Sequence, residues 1–109
     1  MSYFNIRLGC PGDDGTPGML VVTRDSLIFQ TTIPITKNYI CLADADVLAI
    51  GTKRFLLSQM GVVEYVACNR VKSVVFYPID ESIHELLLMI SCIGFKPKAN
   101  MPASATDVL

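Results

Sequence analysis

This sequence is short of charge and of histidine. Asp, Glu, Lys and Arg make up 17% of its 109 residues, against ~25% in an ordinary soluble domain, and there is one histidine, His84. A formal net charge of −1, with no run of lysines or arginines, leaves no electrostatic footprint for nucleic acid. The closest basic groupings are Lys53-Arg54 and the spaced pair Arg70 and Lys72. The longest uncharged stretches, Ser26–Thr36 and Leu86–Phe95, fall well short of the ~20 residues that cross a bilayer. The opening residues Met1–Arg7 show no basic region followed by an apolar core, so the expectation is a soluble cytoplasmic protein. Close cysteine pairs are missing as well: Cys10, Cys41, Cys68 and Cys92 are widely spaced, which argues against a zinc site. We expect free structural thiols, those inside apolar runs acting as small buried hydrophobes.

The pieces of an active site are also scarce. Gly9–Gly18 holds four glycines, two prolines and Asp13-Asp14. It has neither the Gly-Lys-Ser/Thr ending of a phosphate loop nor the spaced carboxylates of a calcium loop, and it reads as an exposed loop. Asp44 and Asp46 would share a face if extended; Asp-Ala-Asp between two apolar strands is more simply a turn. His84 falls on a predicted helix beside Ser82 and Glu85, too close in sequence to stage a nucleophile, base and orienting group. The chain therefore reads as non-catalytic, with no cofactor or metal implied.

What the chain does have is 51% apolar residues, too many for disorder and enough for one domain with a real core. They come in short runs. Tyr3–Leu8 alternates as a first strand. Gly18–Ile33 is a hairpin, with one strand ending at Thr23, a polar turn at Arg24-Asp25 and a second strand from Ser26. Pro34 lacks a donor and marks an edge or break. Asn38–Ala43, Val47–Thr52, Val62–Cys68 and Val71–Tyr77 read as further strands, with turns at Met60-Gly61 and Asn69-Arg70 and a stop at Pro78. Lys53–Gln59 is ambiguous. Many short strands at this spacing argue for a β-sandwich or barrel.

One helix closes the domain over Asp80–Ile93, with Asp80 as the expected N-cap, Glu81 against the positive end of the dipole and Gly94 at C′. Ile83, Leu86, Leu87, Ile90 and Ile93 form the stripe that packs on a core. Leu88, Met89 and Cys92 widen it beyond one flat contact, as a barrel plug or as a dimer or partner surface. Residues 1–95 form the expected domain and 96–109, small, polar and proline-punctuated, a flexible tail.

The run Gly18, Leu20, Val22, Thr23, Leu27 and Phe29, followed by Ile33-Pro34-Ile35, resembles the first hairpin of the GRAM and bacterial branches of the pleckstrin-homology superfold. The closing order is similar too: a strand with Val74-Val75-Phe76, an acidic cap, then a Leu-Leu helix. The resemblance implies an α+β fold, mainly β, in which about seven short antiparallel strands form a roll or barrel of two bent sheets capped by one C-terminal helix. It implies a recognition domain rather than an enzyme.

Three functions fit. The first is a self-associating protein-interaction or scaffold domain, whose partner is another protein or a second copy and whose contact is the Leu88, Met89, Cys92 flank or a sheet edge. The second is a peripheral membrane or anionic-ligand domain using Lys37, Lys53, Arg54, Arg70 and Lys72, provided they converge at one mouth. The third is a small inhibitor or immunity-type protein.

Overall fold

The computed structural model describes residues 2–9, 15–31, 39–55 and 58–97. Seven strands come first: β1 Ser2–Leu8, β2 Thr16–Val22, β3 Ser26–Thr31, β4 Tyr39–Ala43, β5 Val47–Phe55, β6 Ser58–Ala67 and β7 Arg70–Pro78. A 3-10 turn at Asp44–Asp46 joins β4 to β5, and one helix, α1 Ile83–Ile93, ends the order. All pairings are antiparallel, and the fold is α+β, as expected.

The expectation of two sheets is corrected. Hydrogen bonds run through one sheet in the order β4-β3-β2-β1-β7-β6-β5. The β1–β4 and β5–β7 halves meet where Ile6, Arg7 and Leu8 pair with Pro78, Tyr77 and Phe76. Seven flat strands would span ~34 Å and be only ~10 Å thick. The molecule instead measures 31 × 29 × 29 Å, so the sheet is rolled, in a barrel-like manner, around its contents. Ile6, Leu20, Leu27, Val63 and Phe76 line one core, and Ile83, Leu86 and Ile90 of α1 seal it. The Phe29 and Phe76 rings, from opposite halves, lie tilted with centroids 5.2 Å apart, within the favoured range for aromatic pairs.

Local chemistry sets the boundaries. Thr23 belongs to the hairpin turn rather than to β2: its Oγ1 accepts from the amides of Asp25 at 3.2 Å and Ser26 at 3.0 Å. The Asp25 carbonyl in turn accepts from the Asp44 amide at 2.8 Å, tying this hairpin to the 3-10 turn. Strand β2 begins at Thr16, two residues inside the expected loop. Pro17 pairs with Arg7 in the β1–β2 ladder.

Met60-Gly61 is not a turn but the interior of β6. A Cβ on Gly61 would come within 2.6 Å of the Phe76 ring and 2.8 Å of Ile83, so glycine here makes room for the core. The next turn sits one residue earlier than expected, at Cys68-Asn69, with φ of 53° and 60°. Two consecutive left-handed residues closing the Ala67↔Arg70 pair are the type I′ geometry that matches strand twist.

Ser82, not Asp80, caps α1: its hydroxyl accepts from the Glu85 amide at 3.2 Å. Asp80 is engaged elsewhere, accepting from Asn5 Nδ2 at 3.1 Å. Gly94 supplies the left-handed C-cap at φ 103°, with the Arg24 side chain of the β2–β3 turn alongside. That places a cation near the negative end of the helix dipole. The helix stripe is as expected, with Ile83, Leu86 and Ile90 buried and Leu87 and Ile93 half-buried. Phe95, just beyond the helix, is a further buried core residue. The cysteine expectation is half corrected: Cys41, Cys68 and Cys92 are free thiols but exposed, not buried. Cys10, Pro34 and the tail from residue 98 lie outside the described residues.

Candidate functional site

An open groove of about 620 Å³ lies where the start of β6 and the end of β7 meet the first turn of α1. Strand β7 delivers Tyr77 to its wall, the β5–β6 hairpin delivers Arg54 and Gln59, and the helix entry delivers Glu81, Ser82 and His84. Its polar contacts are specific. His84 Nε2 lies 2.6 Å from Gln59 Oε1, and a carbonyl acceptor there calls for the proton on Nε2. The one imidazole of the chain is thus engaged with an amide.

Glu81 is the unusual group of the groove. Its Oε1 is shielded from solvent and has no hydrogen-bond partner. Burial, and then the neighbouring charges of Asp80 and Glu85, push its carboxyl above the ordinary value of 4.5. A carboxyl held toward its neutral form can donate as well as accept. A second, smaller groove of about 250 Å³ lies between β5 and the C-terminal half of α1, lined by Ile50, Leu87, Ile90 and Phe95.

The basic residues singled out in the sequence are not brought together. Lys53 and Arg54 pair with Met60 and Gln59 at the start of β6, while Lys72 and Arg70 pair with Tyr65 and Ala67 at its end. The nearest members, Lys53 and Lys72, are five β6 residues apart in register, or ~17 Å. Of the described basic residues named in the sequence only Arg54 lines the groove, which Glu81 also lines. Lys37 lies outside the described residues. Asp44 and Asp46 occupy the 3-10 turn leading into Val47, which pairs with Tyr65. His84 contacts Gln59 at the other end of β6, so the three do not meet. Among the described residues no three His, Cys, Asp or Glu side chains are grouped as a metal site needs, and no helix is long and apolar enough to cross a membrane.

The interface residues fare differently. Leu88 is 66% exposed, and Met89 and Cys92 are exposed beside it on the same flank of α1. Helical spacing sets Leu88 and Met89 one turn from Cys92. Sequence reasoning named a sheet edge as an alternative contact but missed which one is apolar, the edge strand β4, where Tyr39, Ile40 and Cys41 are exposed in succession. It also missed the groove residues Gln59, Tyr77 and Glu81. Glu81 was read only as a dipole partner, and the Gln59–His84 contact joins residues 25 apart, which no local pattern signals. No protein-family model matches the chain, and no curated protein is similar to it in sequence.

Proposed function

We propose that the chain is a non-catalytic protein-interaction domain of pleckstrin-homology-like architecture that associates with itself. The observation that carries this reading is the apolar surface left exposed on the flank of α1 and along the edge strand β4. Three buried residues, Ile83, Leu86 and Ile90, already seal the core, yet Leu88 and Met89 stay in water. A chain with so few charges gains by covering such surface. Val71 and Ile79 are exposed as well. The order of strands and the single capping helix support the architectural half of the proposal.

The membrane or anionic-ligand reading has less behind it, because its described basic residues are spread along the register of β6 and only Arg54 of them lines the groove. Sedimentation velocity over about 1 μM to 1 mM tests self-association, since that range spans the affinities expected of modest interfaces. The expected result is a weight-average mass that rises with concentration. A monomer throughout, together with no protein recovered by a tagged copy, overturns the reading. A shift in flotation with anionic vesicles that Lys53→Ala and Arg54→Ala abolish would favour the membrane alternative.

A further inference from the structure

We propose that the self-association inferred above takes place through β4: two copies pair their β4 strands antiparallel about a two-fold axis at Cys41. Among the described residues β4 is one of the two ends of the sheet. Its inner neighbour is β3, and four of its five residues are exposed, Tyr39 by 72% and Ile40 by 37%. An open strand edge is a template for another strand unless something blunts it.

The two edges of this sheet differ in that respect. The β5 edge carries Lys53 and Arg54, has an irregularity between Val47 and Ala49 in its pairing with β6, and lies against α1. Strand β4, Tyr-Ile-Cys-Leu-Ala, has no charge, no proline and no bulge in its pairing with β3.

The occupant follows from the register. With Cys41 on the axis, Cys41 faces Cys41 of the second copy, Ile40 faces Leu42, and Tyr39 faces Ala43. All five residues find apolar partners, and the half-exposed Ile40 is covered on the face where Leu42 is buried. Sliding by one residue would set core-facing side chains against outward-facing ones. Sliding by two in one direction would bring Asp44 opposite Ile40. The antiparallel arrangement also carries the two Asp44 carboxylates to opposite ends of the paired strands, ~20 Å apart. A five-residue ladder is shorter than a standard interface needs, so the dimer is a weak one that forms at high protein concentration.

Charge exchange at the axis tests this. In Cys41→Lys like charges face each other, and the association constant should fall at least tenfold while far-UV circular dichroism stays that of the wild type. Cys41→Glu should behave the same way, and an equimolar mixture of the two variants should form a heterodimer. As a measurement that leaves the strand intact, Cys10, Cys68 and Cys92 are replaced by serine and diamide is added. Diamide takes two electrons and two protons from a facing pair of thiols, is itself reduced to the hydrazine, and leaves a Cys41–Cys41 disulfide between copies. Wild-type association by Cys41→Lys, a folded mixture without heterodimer, or no disulfide-linked dimer overturns the β4 mode. If the wild type dimerises and Leu88→Glu abolishes the dimer while Cys41→Lys does not, self-association stands and only the edge-strand mode fails. A wild type that is monomeric throughout overturns both.

Discussion

At the level of single residues, the groove beside α1 turns on Glu81. In the unfolded chain this carboxyl titrates near 4.5, and folding raises that value through burial and the adjacent Asp80 and Glu85. A group whose folded value is the higher one binds its proton more tightly when folded. Its contribution to stability is therefore complete below pH 4.5 and is lost as pH rises through the raised value. Glu81→Gln removes the charge while keeping the shape. The variant should be more stable than the wild type at about pH 7, and the two should converge below about pH 4. Urea midpoints measured across that range check it; a variant less stable at neutral pH would mean that the Glu81 carboxylate is stabilising as an anion. Nothing at this scale was legible beforehand beyond the acidic start of the helix, because the shielding of Oε1 comes from the folded shape of the groove. Thr23 is the contrasting case. Arg24-Asp25 after an aliphatic strand marked a turn, and Thr23, read as the last residue of that strand, closes it with its hydroxyl.

Elements were legible where composition and period agreed. The apolar stripe of α1 and the alternation of Tyr3–Leu8 pointed to the faces that are more buried. Boundaries slipped where a nearby residue offered the same chemistry. Asp80 and Ser82 are both good caps, and the choice fell to Ser82 because Asn5 of β1 holds Asp80 while Ser82, with Glu85 three residues on, has the capping-box spacing. Gly61 misled for the opposite reason: its signal is of a turn, and its use is close packing under Phe76. The β6–β7 turn shows the same competition in energetic terms. Cys68 holds φ 53°, a conformation that non-glycine residues adopt at a cost and that Asn tolerates better. Cys68→Asn should raise stability by about 0.5–1 kcal/mol, and the β-branched Cys68→Val should lower it by at least as much. Chemical denaturation midpoints decide the order. A gain from valine would show that the turn relaxes out of the left-handed region.

The whole molecule depends on contacts that no stretch of sequence reveals. Among the described residues the strand pairing between its two halves is the short β1–β7 ladder, Ile6↔Pro78 to Leu8↔Phe76, so rolling the sheet also relies on side chains that bridge the interior. Phe29 from β3 and Phe76 from β7 do so directly, at 5.2 Å and 56°, and both are fully buried. Each truncation to leucine removes a ring edge from the core and leaves a gap that the sheet cannot fully close. If the rings act as a pair, the second truncation costs less than the first. A double-mutant cycle of Phe29→Leu and Phe76→Leu should therefore give a coupling of about 0.5–1.5 kcal/mol. The same bridge implies that the halves unfold together. In urea titrations followed by methyl resonances, signals of Leu20, on the β1–β4 side, and Val63, on the β5–β7 side, should be lost at one midpoint. The Phe29→Leu, Phe76→Leu double variant is where a separation would first be seen, because it weakens the join while leaving the hydrogen-bonded ladder in place. Zero coupling with a single shared midpoint would assign cohesion to α1 instead, whose Ile83, Leu86 and Ile90 belong to the same core cluster and span the open side of the roll.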